Sequence, residues 1–379
     1  MAAPMGTQGW WDGARRGALG VLMLALVALA VAACGVPGGG PAAPSAAPSK
    51  PPGVTGAPGG STPPTGGSEG GAGRAAPAPV AEAIRVAIPG QSFGFLPLSV
   101  ALHRGLFKEE GLDPVEVTAV GGDLQPVALQ AGEVDYAGAG GTIGRAAVQG
   151  LPVKVILFLY ERPTWSLVAQ PDITSAAQLR GKRIGVTRIG TSNDMGAKMA
   201  AAHLGLNPES DVSTVSIGVQ ALQGLVGGAV EAAMLNTDAT AIAQAQGYHE
   251  LVPMADVAVW PFSGFGVADS KLAQQRGQVK RYARAQIRGL QFMLDHPADV
   301  AQMAVAEFGM EPEGARLAVT SALRSVSREN PGGVSGEGIA RYVETELRPG
   351  LPAGTEVQPA QFLDLSIVEE AQRELGIGR

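Results

Sequence analysis

The chain has 379 residues, 45% of them apolar, and a formal charge of −6, so it can fill a sizeable core and lacks the basic face that nucleic-acid phosphates require. Its one cysteine, Cys34, excludes an internal disulfide and leaves the fold to that core. The 54 glycines and 28 prolines would read as a sign of disorder, but many of them fall between Gly35 and Pro79.

Arg15 and Arg16 precede a nearly uninterrupted apolar segment from Ala18 to Ala33, with small residues directly before Cys34. Charged, then apolar, then small is the order of a secretory signal, and the run is shorter than the roughly 18 residues that read as a membrane span. The two arginines suit a twin-arginine exporter as well as any ordinary signal. A thiol at this point has the form of a bacterial lipobox. Residues 1–33 are therefore expected to be a removed signal and Cys34 to carry a lipid that holds the protein on the outer side of the cell membrane. Removal would take away Asp12, Arg15 and Arg16 and leave a charge of −7. Residues 34–83, rich in Gly, Pro, Ala, Ser and Thr, cannot bury enough to offset the entropy of ordering and read as a tether.

From Ile84 the pattern becomes strand, turn, helix, repeated. Ile84 to Ile88 reads as a strand ended by Pro89-Gly90, and Pro97 to Glu110 as a helix stopped by Gly111. Strands follow at Val115 to Val120, Val134 to Ala137 and Val153 to Leu159, with a short helix to Ala131 capped by Asp123. After Pro171 the pattern restarts. Strands are expected at Arg183 to Thr187, Val212 to Ile217 and Ala232 to Leu235, and helices at Asn193 to Leu204, Gln220 to Val226 and Asp238 to Gln246. Buried strands alternating with helices give an α/β fold of two lobes, each a mostly parallel sheet covered on both faces.

Apolar alternation over Ser263 to Val267 predicts a strand returning to the first lobe. Helices then follow at Leu272 to Leu294 with Ser270 as cap, Ala298 to Phe308, Pro312 to Val326, Gly338 to Leu347 and Ala360 to Leu375. On this reading residues 84–168 and 262–379 form lobe I and 169–261 lobe II. The crossings fall near Ser166 to Gln170 and Val259 to Ser263.

Ligands of open α/β sheets sit beyond the carboxyl ends of the strands, where loop amides and helix N-termini converge. The first lobe nominates Gln91, Ser92 and Phe93, then Gly122 and Asp123, then Gly140, Gly141 and Thr142, then Tyr160 and Trp165. The second nominates Arg188, Gly190, Thr191, Ser192 and Asn193, then Asn236 and Asp238. Gly140-Gly141-Thr142 and Thr191-Ser192-Asn193 offer amides and hydroxyls at helix starts, with ordinary N-capping as the competing reading. The planar fork of Arg188 suits a sulfonate or carboxylate, with an ion pair as its alternative. Asp238 reads first as a helix cap. Phe93, Tyr160 and Trp165, with Trp260 and Phe262 at the second crossing, offer apolar walls or packing.

The four histidines, at 103, 203, 249 and 296, lack metal-ligand spacing, and no Gly-x-Ser-x-Gly or Walker loop is present. Gly138, Gly140 and Gly144 miss the dinucleotide spacing by one residue, so neither metal nor cofactor is expected.

The run Ile88 to Gly111 (IPGQSFGFLPLSVALHRGLFKEEG) resembles the opening of the solute-binding proteins of ABC importers, in the nitrate, sulfonate, taurine and thiamine-precursor group. Gly132 to Gly141 (GEVDYAGAGG), Leu179 to Ser192 (LRGKRIGVTRIGTS) and Leu204 to Pro208 also match that group, so the similarity covers Ile84 to about Asp269. The resemblance implies the type II periplasmic-binding-protein fold with two hinge crossings and no enzyme activity. It implies a monomer that captures a small polar or anionic solute and hands it to an ABC permease and its ATPase. The thiamine branch usually carries a cysteine-rich motif, which is missing after Cys34. An enzyme on the same scaffold, or a sensor domain, is the competing expectation.

Overall fold

The computed structural model describes residues 81–378 apart from Val219 and Ala353; the expected signal, Cys34 and nearly all of the tether lie outside the described residues. Two five-stranded sheets organise the fold. The first joins β1 (Glu82–Ile88), β2 (Leu112–Ala119), β3 (Tyr136–Ala137), β4 (Val153–Tyr160) and β10 (Phe262–Ala268) in the order β2-β1-β3-β10-β4. The second joins β5 (Trp165–Ala169), β6 (Lys182–Val186), β7 (Val212–Ser216), β8 (Ala232–Asn236) and β9 (His249–Pro253) in the order β7-β6-β8-β5-β9. In each sheet the fourth position is taken by the strand that has just crossed from the other sheet, and that strand alone runs antiparallel. Both sheets are thus mostly parallel, as the alternation of buried strands and helices predicts.

The strands read as they do because both faces are covered. All of β4, Val-Lys-Val-Ile-Leu-Phe-Leu-Tyr, is buried except the half-buried Lys154. One face of the first sheet packs on the helices Leu96–His103, Arg276–Asp295 and Ser366–Glu374, around Tyr136 and Tyr282 stacked 3.7 Å apart. Its other face packs on Gly140–Val148 and on the turn after the helix Gly336–Tyr342. In the second sheet Ser192–His203 covers one face. Ala221–Val226 and Thr237–Ala245 cover the other.

Several elements differ from the sequence expectation. The helix expected over Pro97 to Glu110 is broken: Gly105, at φ 69°, separates Leu96–His103 from Leu106–Glu109. Leu272 to Leu294 divides into Asp269–Gln274 and Arg276–Asp295, with Ala268, not Ser270, at the cap position. Gly338 to Leu347 is an α-helix only to Tyr342 and then widens into a π-turn over Val343–Leu347. Ala360 to Leu375 splits into Pro359–Phe362 and Ser366–Glu374. Asp123 does not cap its helix, which begins at Gln125 with Leu124 before it.

The strands β5 and β9 carried no clear alternation and add to the second sheet. Because β5 already belongs to that sheet from Trp165, the first crossing lies at residues 161–164, ahead of the expected Ser166 to Gln170.

Candidate functional site

A cavity of about 390 Å³ opens where the carboxyl ends of strands of the first sheet meet the second crossing. Its rim draws on the loops after β1 and β3, on the second crossing, on the π-turn, and on Ser192 at the start of a helix that covers the second sheet. The rings of Phe95, Phe158, Phe262 and Tyr342 form its apolar wall. Volumes of this order suit a small organic solute.

The floor is the first turn of Gly140–Val148. A Cβ on Gly140 would stand 2.8 Å from Cα and 2.9 Å from the carbonyl oxygen of Gly264 in β10, so only glycine allows helix and strand to meet there. The Tyr342 hydroxyl donates to the Gly140 carbonyl over 2.5 Å and ties the turn to the C-terminal helices. The Thr142 hydroxyl donates to the Ala139 and Gly122 carbonyls, both at 2.9 Å; the helix is therefore entered at Ala139, and Thr142 does not serve as its N-cap.

Against this turn stands Glu346, from the π-turn. Its Oε2 lies 3.0 Å from where a Gly141 Cβ would be, beside Arg145, whose Nη1 donates to the Glu346 carbonyl oxygen at 3.0 Å. Burial pushes the Glu346 carboxyl above the usual carboxylate range, against the pull of Arg145, Ser192 and Trp260. The Trp260 indole Nε1 is buried beside that carboxyl and makes at most a loose hydrogen bond to it. Nearby, Ser263 holds a left-handed φ of 53°, a strained conformation for a serine, in the wall of the cavity.

The crossings are joined by aromatic packing. The Trp165 ring meets Trp260 edge-on at 5.3 Å and Phe262 at 5.1 Å. Contact between the two sheets' helices continues on one side, where Ala241 shares a buried cluster with Phe93, Leu96, Val100 and Met293.

Of the residues nominated from sequence, Ser92, Gly140, Gly141, Thr142 and Ser192 are brought together at the cavity, and Phe262 with them. Others are placed elsewhere. Gln91 is exposed and donates to the Glu307 carbonyl at 3.2 Å, while Phe93 packs on Phe308 at 4.8 Å, leaving Phe95 as the ring of that loop at the cavity. Asp123 lies on an adjoining groove with Val127 and Gln149, which shares Thr142 and Arg145 with the cavity, and the Gly122 carbonyl accepts from Thr142.

Tyr160 is buried, its hydroxyl donating to the Phe93 carbonyl at 2.9 Å, and burial pushes that hydroxyl's pKa up. Arg188 is exposed and absent from the cavity lining; its carbonyl accepts from Thr191 Oγ1 at 2.6 Å. Gly190 donates to Asp194 Oδ2, and Asn193 Oδ1 accepts from the Thr187 amide, both at 3.0 Å. These groups hold the start of the Ser192 helix. Asn236 stands before its helix without a side-chain cap, and Asp238, in the first turn, keeps Oδ1 buried and unpaired, with burial raising its pKa.

Glu346, Arg145, Phe95, Phe158 and Tyr342 were not nominated. Glu346 and Tyr342 come from a helical segment some two hundred residues beyond the Gly140 loop, and no local pattern marks them.

Comparison with known proteins places this geometry. The chain is 30% identical over 220 residues to the riboflavin-binding protein RibY of Chloroflexus aurantiacus, a match covering 56% of this chain and 62% of that relative, so the chain spans less than two thirds of its length. The periplasmic aliphatic sulphonate binding protein SsuA of Escherichia coli superposes with a TM-score of 0.55 at 14% identity, over 73% of this chain and 94% of that one. The desulfurization enzyme DszB superposes with a TM-score of 0.54 at 16% identity, over 78% of this chain and 99% of its own. The fold is that of the periplasmic binding proteins. The family model described as NMT1/THI5 like matches residues 92–300, more than half of the sequence, and the chain belongs to the NMT1/THI5-like family.

Proposed function

We propose that this chain is the extracytoplasmic solute-binding component of an ABC importer, held to the membrane through a lipid on Cys34, which captures a small organic solute between two lobes. Lobe I comprises β1 to β4 and the chain from Phe262 onward; lobe II runs from Trp165 to the end of β9. The observation that carries the reading is a cavity beside the second crossing that takes Ser192 from one lobe and the Gly140 turn from the other. A solute touching both walls stabilises the closed arrangement, and a permease with its ATPase reads that closure. The likeness to a riboflavin-binding relative supports capture of a solute. DszB shows that the scaffold also carries enzymes; among the described residues this cavity is lined by no histidine or cysteine, so an enzyme reading would have to work through Glu346 and the serines of the lining.

Thermal unfolding of the full chain with riboflavin, a thiamine pyrimidine precursor, taurine or nitrate tests the reading. A solute at a hundred times its Kd adds about 2.7 kcal/mol of stability and raises Tm. No shift with any of the four overturns the proposal.

A further inference from the structure

A helix N-terminus at the base of a cleft is an anion site by default, because its first amides lack partners and the dipole favours negative charge. In this cleft the position is filled from within. The Glu346 carboxyl lies against the first turn of Gly140–Val148, with Oε2 at 3.0 Å from the point a Gly141 Cβ would occupy. The one guanidinium of the lining, Arg145, donates from Nη1 to the Glu346 backbone carbonyl, and its charge is met by the Glu346 carboxyl. Arg188, the other cation expected at the cleft, is exposed and outside the lining. An entering sulfonate or nitrate would meet a carboxyl where it needs donors, and would have to displace it.

The groups left for a solute point to the opposite chemistry. Glu346 offers acceptor oxygens in a desolvated setting, where an unmatched acceptor is costly and a matched one selective. The rings of Phe95, Phe158 and Phe262 line the same cavity. Trp260 lies outside that lining, and its buried N–H serves the Glu346 carboxyl rather than a solute.

We propose that Glu346 is the specificity-determining residue of the cleft: it closes the helix N-terminus to anionic solutes and selects a neutral or cationic ring-bearing solute that presents N–H or O–H donors to its carboxyl. This rests on the solute-capture reading above. Ethanesulfonate and nitrate, anions with neither a ring nor an N–H donor, are excluded by the same residue that recognises the donor.

Titration of the full chain with riboflavin, benzamidine, ethanesulfonate and nitrate, on the wild type and on Glu346→Gln and Glu346→Ala, separates the two readings. The wild type is expected to bind at least one of riboflavin and benzamidine and neither anion. Glu346→Gln, near-isosteric and uncharged, should weaken the ring-bearing probe at least tenfold and gain affinity for ethanesulfonate. Glu346→Ala should lose the ring-bearing probe as well, and the unliganded Tm of each variant reports that it has folded. Unchanged affinity of a folded Glu346→Gln for the ring-bearing probe, or tight binding of ethanesulfonate or nitrate by the wild type, overturns the role of Glu346 and leaves solute capture standing. Binding of none of the four probes overturns the role of Glu346, and capture falls with it only if the four solutes of the thermal unfolding test also leave Tm unchanged.

Discussion

Gly140 shows how a single residue without a side chain shapes the site. Its Cα faces the backbone of Gly264 so closely that a methyl group would meet main-chain atoms at 2.8 and 2.9 Å, which cannot swing aside as a flexible side chain could. Gly140→Ala is expected to cost about 1–3 kcal/mol, the range for overpacking a filled core, and to disturb the turn on which Glu346 rests. Denaturant unfolding checks this, and an unchanged midpoint would contradict the close approach. Gly140, Gly141 and Ser192 were legible in the sequence because they follow strands and open helices, which fixes their end of the sheet. The direction of a side chain was not: Arg188 also follows a strand, yet it faces solvent, and Phe93 turns inward while Phe95 two residues on faces the cavity. Glu346 left no local signal, since its place depends on how a distant helix packs.

The elements of the two sheets were mostly legible where buried strands alternate with helices, and less so where the chain crosses between lobes. The crossing strand β5 pairs antiparallel with β8 and β9, and its five residues, all buried but the half-buried Trp165, gave no period-2 alternation to mark it. The helix break at Gly105 needed a left-handed residue that a helical pattern tolerates without showing it. In the second sheet the edge of β6 is clamped to the residue before β8: Arg183 donates from its backbone amide, Nε and Nη2 to both oxygens of Glu231, at 2.7 to 3.1 Å. This guanidinium holds the Glu231 carboxyl down to about 2 from an ordinary value of 4.5. The folded state thus favours the ionised form, so the contribution is present above about pH 4.5 and is lost as pH falls through about 2. Glu231→Gln should therefore flatten the decline of Tm between pH 4.5 and 2 relative to the wild type. Parallel declines in the two proteins would contradict the clamp.

For the whole molecule, the shared strand order of the two sheets makes the crossings a matched pair, each delivering an antiparallel strand to the other sheet. The two-lobed plan was legible in the repeat of strand and helix before and after Pro171. The cleft's chemistry was not, because it is assembled from the Gly140 turn, Ser192 and the π-turn after Tyr342, segments far apart in the chain. If a solute is held between those walls, filling the space from one side must expel it without harming the fold, since Ser192 is half-buried at the rim. Titration calorimetry of the full chain and of Ser192→Trp with riboflavin and with benzamidine measures this most directly. The account predicts one solute per wild-type chain for at least one of the two probes, and at least a tenfold loss of its affinity in a variant of unchanged Tm. Equal affinity in the two proteins would place the bound solute elsewhere and contradict capture between the lobes.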